Sequence, residues 1–166
     1  MNVIIAGATG FIGSELVSFL RGKGHAVTAI VRNPEKAAEQ LGAGVSILAF
    51  GQSDDDLASA FEDADVIVNL TGRPLAPVRW SDSKKREFYD SRVGVTERLV
   101  SIMENCELPP AVLISASAVG YYGDRGDEKI TEESGIGQGY LSELCDSWEK
   151  AAFCLLYTSP SPRDRG

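Results

Sequence analysis

Gly7, Gly10 and Gly13 follow an apolar run, Val3-Ile4-Ile5-Ala6, and precede a helical apolar pattern at Leu16, Val17 and Leu20. Strand, glycine turn and helix in that order make a cradle for a diphosphate. The first glycine permits a tight turn, the second lets backbone approach a pyrophosphate, and the third lets helix and strand pack closely. Free N–H groups at the helix start add a partial positive charge facing the anion. The spacing is G-x-x-G-x-x-G, not the G-x-G-x-x-G usually associated with dinucleotides, and Thr9 stands before the middle glycine. No Gly-Lys-Ser/Thr closes the motif, which argues against a phosphate loop of the NTPase kind. A second cluster is Ser115-Ala116-Ser117-Ala118-Val119-Gly120-Tyr121-Tyr122-Gly123-Asp124. A serine at a strand end can set its hydroxyl beside a substrate carbonyl or alcohol, and tyrosine is the usual proton donor when hydride moves to carbon. Ser117 is the expected hydroxyl, with Tyr121 and Tyr140 as candidate proton donors. The alternative is a tight, glycine-rich turn whose serines merely satisfy backbone groups.

These residues need a scaffold, and hydrophobic periodicity supplies one. Ala26–Val31 reads as a second strand, ending at Arg32 and Asn33. In a mononucleotide-binding fold that edge normally carries an acid for the adenosine ribose hydroxyls. A cation there attracts a 2′-phosphate instead, so Arg32 favours NADP over NAD, the alternative being a solvated loop arginine. Pro34 opens a short helix ending at Leu41, and Val45–Phe50 reads as a third strand. Asp54, Asp55 and Asp56 begin the next helix, where they match its dipole better than they would a metal. Asp65–Leu70 is the fourth strand. Its end runs into Thr71 and Gly72, so Leu70, Thr71 and Gly72 are expected along the cofactor, with an ordinary loop as the alternative. Lys84–Asn105 reads as one long helix with Phe88, Val95, Leu99 and Ile102/Met103 on its apolar face. Arg92 on that helix is either structural or reaches the ligand cleft. Ala111–Ile114 is the fifth strand and delivers the serine segment. The expected architecture is a doubly wound α/β Rossmann domain of at least five parallel strands, order 3-2-1-4-5, with helices on both faces.

Composition narrows the partners. The 166 residues carry a net charge of −8, so no basic stripe is available for nucleic acid. No apolar run reaches the length of a membrane span, and Met1 leads straight into the first strand, with no signal peptide expected. Cys106, Cys145 and Cys154 are scattered, and His25 is the only histidine, which speaks against a zinc cluster or a Cys/His nucleophile. A cytoplasmic protein with a small-molecule substrate is expected; the oligomeric state is not legible.

The residues resemble the extended short-chain dehydrogenase/reductase superfamily, and within it the atypical NAD(P)-dependent epimerase-like branch. The cofactor turn Gly7-x-x-Gly10-x-x-Gly13, with Thr9, Phe11 and Ile12, carries the resemblance first. It continues through Asn69–Gly72, a loop containing Trp80, Ser91-Arg92, the segment Ser115–Gly123 and Leu144-Cys145-x-x-Trp148-Glu149. It covers residues 1 to about 153. The resemblance implies NADP binding by a Rossmann fold and an oxidoreductase or epimerase activity on a carbonyl or alcohol. One departure stands out: the superfamily pattern Tyr-x-x-x-Lys is broken, because Leu144 lies four residues after Tyr140 and no lysine follows until Lys150. Without a lysine beside it, a phenol near pKa 10 is a poor base at neutral pH. A non-catalytic NADP-binding protein that senses redox state is therefore the rival reading. From Cys154 to Gly166 the sequence resembles the in-frame translation of a sequencing-library adapter, expected to be disordered and to leave the helix before it. Related proteins continue instead into further strands and a C-terminal substrate lobe.

Overall fold

A computed structural model of the chain describes residues 1–75 and 79–158, with side chains described up to residue 153. The elements are β1 (Asn2–Ala6), α1 (Phe11–Gly22), β2 (Ala26–Val31), α2 (Pro34–Leu41), β3 (Ser46–Ala49), α3 (Asp54–Glu62) and β4 (Val66–Asn69). They continue as α4 (Asp82–Tyr89), α5 (Val95–Asn105), β5 (Val112–Ser115) and α6 (Tyr140–Thr158). The five strands form one sheet in the order β3-β2-β1-β4-β5, and every pair is parallel. This is the doubly wound Rossmann arrangement that the strand–helix alternation predicts. β1 lies at its centre, its residues Val3 to Ala6 almost wholly buried, as a strand covered on both faces requires.

Alternation along the strands divides the core. Val3, Ile5, Val27, Ala29, Val31 and Val68 face α1 and α2, where Val17 and Ala37 meet them. Ile4, Ala6, Ile30 and Ile67 face the other layer, against Leu57 and Phe61 of α3 and Leu99, Ile102 and Met103 of α5. The helix starts follow from local chemistry. Asn33 caps α2 by accepting from the Lys36 N–H with Pro34 in the first turn, and Ser53 caps α3 by accepting from Asp56 N–H. Asp54, Asp55 and Asp56 sit in the first turn of α3, and Asp54 also pairs with Arg98 of α5 at 2.8 Å.

The single helix expected over 84–105 is interrupted. A π-helical turn, Asp90–Gly94, separates α4 from α5. Such a turn shifts the side-chain register, so Phe88 leaves the sheet-facing row. It packs instead with Val93, Leu144, Trp148 and Ala151 in a third cluster that fastens α6 to this region. Helical backbone in α6 also runs five residues beyond the boundary expected at 153: leucines at 155 and 156 are good helix formers, and no proline intervenes before Pro160. The rest of the adapter-like stretch, 159–166, and Pro77 in the loop before α4 lie outside the described residues.

A buried polar junction ties β4, α5 and α6 together. Asn69, Thr96 and Ser142 are fully buried polar residues. The Thr96 Oγ1 donates to the Arg92 carbonyl at 2.7 Å, and accepts from the Asn69 amide at 2.8 Å and from the Trp148 indole N–H at 3.0 Å. Thr96→Val keeps the shape but strands two buried donors, each costing about 1–3 kcal/mol. Chemical denaturation is expected to show a loss of about 2–4 kcal/mol for Thr96→Val and a far smaller loss for Thr96→Ser. Equal losses in the two variants would mean that packing, not hydrogen bonding, governs the position.

Candidate cofactor and active site

The turn after β1 is shaped by what it cannot accommodate. Gly7 has φ +86°, and a Cβ there would lie 2.7 Å from the Leu70 carbonyl oxygen. A Cβ on Gly13 would overlap the Gly7 carbonyl oxygen, so the first turn of α1 rests directly on the β1 turn. Gly10 differs: its backbone (φ −78°, ψ 175°) suits any residue, and only the Gly7 carbonyl, at 3.2 Å, lies near a Cβ built there. Beyond that carbonyl a Cβ at Gly10 would meet open space to 4 Å. α1 has neither a side-chain cap nor an acid in its first turn, unlike α2 and α3, and Phe11 and Ile12 are 91% and 65% exposed. The N–H groups at its start are thus available to an anion. These features fit a dinucleotide diphosphate.

Of the remaining predicted cofactor residues, Leu70 and Thr71 border that turn: their backbone lies within 3.1 Å of a Cβ built on Gly7. Thr9 is exposed, and its carbonyl accepts from the Gln40 side chain of α2 at 2.9 Å, a brace that sequence alone gives no sign of. Arg32 is exposed at the C-terminal end of β2, beside the N-cap of α2. On the other side, Leu70 N–H donates to the Ala6 carbonyl at 2.8 Å, which carries β1–β4 pairing past the strand end. Asn69 Oδ1 then accepts from both the N–H and the hydroxyl of Thr71, at 3.1 and 2.6 Å. Gly72 lies against Arg92, whose guanidinium a Cβ on the glycine would approach to 3.1 Å. Arg92 donates to the Arg73 carbonyl at 2.9 Å and lies 5.5 Å from the centre of the Trp148 ring. Burial lowers its pKa from the ordinary guanidinium value.

The serine segment leaves β5 and enters a 3₁₀ turn at Val119–Tyr122. A concavity of about 280 Å³ opens there, lined by Ser117, Ala118, Val119, Tyr121, Tyr122 and Glu149. Ser117 and Tyr121 thus share one hollow, and the Ser117 hydroxyl donates to the Glu149 carboxylate. Tyr140 faces a neighbouring hollow with Trp80, Gly120, Asp124 and Gln138. Its hydroxyl donates to the Lys85 carbonyl at 2.6 Å, the Lys85 ammonium lies 5.3 Å from its ring centre, and burial raises its pKa. Ser117 and Tyr140 line different hollows, which share Val119. Leu141 and Cys145 of α6 abut Gly120 of the serine segment, and burial pushes the Cys145 thiol up. Among the described residues no cluster of three or more His, Cys, Asp or Glu side chains could hold a metal. No helix there is long and apolar enough to cross a membrane.

Comparison with known proteins agrees with this geometry. Residues 3–143 match the NAD dependent epimerase/dehydratase family. An epimerase family protein of Mycobacterium leprae is 40% identical over 155 residues, which are 93% of this chain and 48% of that protein. The chloroplastic SDR39U1 homolog of Arabidopsis thaliana is 37% identical over 158 residues, 92% of this chain and 44% of that one. The chain therefore spans about half the length of the curated relatives it matches. The crystal structure of human SDR39U1 (isoform 2) with NADPH superposes with a TM-score of 0.75 at 30% identity, covering 92% of this chain and 48% of that one. A UDP-glucuronic acid 4-epimerase of Bacillus cereus, crystallised with NAD, shares the fold at TM-score 0.74 and 20% identity, over 95% of this chain and 52% of that one. With the turn, the sheet and the sequence in agreement, the chain belongs to the NAD dependent epimerase/dehydratase family.

Proposed function

We propose that this chain forms the cofactor-binding part of an NADP-dependent oxidoreductase or epimerase acting on a small-molecule alcohol or carbonyl. The observation that carries the reading is the side-chain-free wall at Gly10, set before the uncapped start of α1. Gly7, Gly10 and Gly13, with the Phe11 and Ile12 N–H groups, would hold the diphosphate; Arg32 would hold the 2′-phosphate; Leu70, Thr71 and Gly72 would flank the cofactor. Bound there, a nicotinamide dinucleotide supplies a hydride acceptor or donor. The chain's own part at the hollow is to orient a substrate oxygen through Ser117 and to exchange a proton through Tyr121. NADPH bound to human SDR39U1 supports the NADP preference; NAD bound to the Bacillus cereus enzyme is the competing precedent. The cytoplasm is the proposed compartment, with the chloroplastic relative of Arabidopsis thaliana as the competing precedent.

One observation favours the rival, a non-catalytic NADP-binding protein that reports redox state. The Tyr140 hydroxyl is engaged by the Lys85 carbonyl, and burial keeps its phenol protonated to higher pH than usual. Turnover of cofactor by the full chain separates the two readings. Ser117→Ala and Tyr121→Phe are each expected to slow turnover at least tenfold, and Tyr140→Phe to leave it nearly unchanged. If both hollow-lining variants keep the wild-type rate, the catalytic reading is wrong.

Two substitutions test the cradle by binding alone. Gly10→Val is expected to weaken NADPH binding at least tenfold with only a modest fall in melting temperature, because its backbone angles are ordinary and only the Gly7 carbonyl, at 3.2 Å, must give way. Arg32→Asp is expected to lower the NADPH-over-NADH preference about tenfold or more by replacing an attraction with a repulsion. An unchanged ratio would make Arg32 a bystander.

A further inference from the structure

The hollow at the end of β5 contains a negative charge that the proton-transfer reading does not use. Glu149 of α6 lines it and accepts a hydrogen bond from Ser117, a neutral hydroxyl that orients the carboxylate without neutralising it. The strand order fixes which end of a dinucleotide would meet this carboxylate. Arg32 stands at the end of β2, on one side of the glycine turn of β1, while β4 and β5 lie on the other side in that sequence. A dinucleotide whose 2′-phosphate end lies toward β2 and whose diphosphate lies over β1 must extend its nicotinamide toward β4 and β5. That is the side on which Ser117 and Glu149 face the hollow.

Oxidised nicotinamide carries a positive ring, whereas reduced nicotinamide is neutral. The shared diphosphate and adenosine parts cannot tell the two forms apart, but a carboxylate at the ring end can. We infer that Glu149 is a specificity-determining residue that biases this site toward the oxidised cofactor, with Ser117 holding its carboxylate in place. The consequence is directional. Holding the oxidised form more tightly keeps the site filled with NADP⁺, the form that takes hydride from an alcohol, and by the same factor makes the bound cofactor a weaker hydride acceptor than the free one. Ser117 points its proton at Glu149 and so leaves its oxygen lone pairs for a substrate hydroxyl. This inference rests on the cofactor-binding reading above.

Calorimetric titration of the full chain with NADP⁺, NADPH and 2′,5′-ADP, a probe lacking the nicotinamide, tests it without any substrate. Glu149→Gln is expected to weaken NADP⁺ binding about fivefold, the scale of one half-exposed charge pair, while NADPH and 2′,5′-ADP bind as in the wild type. Glu149→Asp, which keeps the charge, is expected to retain most of the preference, and Ser117→Ala to retain part of it. If NADP⁺ and NADPH shift together, or neither shifts, while 2′,5′-ADP still binds, the role given to Glu149 is wrong and the cradle stands. If 2′,5′-ADP fails to bind wild-type protein, the cofactor-binding reading falls first and takes this one with it.

Discussion

The Gly7 carbonyl oxygen occupies the place where a side chain at position 13 would have to go, and the rest of the site follows from that exclusion. With no carbon on Gly13, α1 settles against the end of β1, and its leading N–H groups come to the rim of the sheet. Gly7 makes the same concession to β4: its bare Cα lets the Leu70 carbonyl approach. Two strand ends and one helix start thus converge within a turn of chain. A backbone cradle of this kind needs no charged side chain to attract a diphosphate, which explains how a chain with a net charge of −8 can be built around an anion site.

What keeps the neighbouring loop in place is a polar junction inside the core. Asn69 uses both ends of its amide, one on Thr71 and one on Thr96, and Thr96 in turn holds the Trp148 indole. The loop after β4 is therefore fastened to α5 and α6, not only to its own strand. The π-helical turn belongs to the same device. By shifting the register it lets Phe88 and Val93 meet α6 while Leu99 and Ile102 still meet the sheet, and it leaves Arg92 beneath Gly72 against Trp148.

Sequence periodicity carried the fold well because the determinants are local. β-branched runs, Pro34 in the first turn of α2 and the glycine triplet each act over a few residues, and the strand order follows from right-handed crossovers between parallel strands. The long-range contacts were not legible. Nothing near Thr96 in the chain announces Trp148, which is 52 residues away, and Gln40 reaches Thr9 across 31. The π turn was hidden because the apolar spacing on either side of it reads as one helix. Tyr140 shows the same limit at the site. Its chain position gives no sign that the phenol donates to the Lys85 carbonyl, 55 residues away.

The two tryptophans lie in contrasting surroundings. Both indole nitrogens are hydrogen-bonded, Trp148 to Thr96 and Trp80 to the Leu75 carbonyl, but Trp148 is buried whereas Trp80 is 39% exposed and packs edge-on against Phe88 and Tyr140. One fluorophore is thus tethered to the junction beneath the loop after β4 and the other stands at the rim of the second hollow. Their difference in burial makes the first the bluer emitter, so the molecule carries two separate optical gauges.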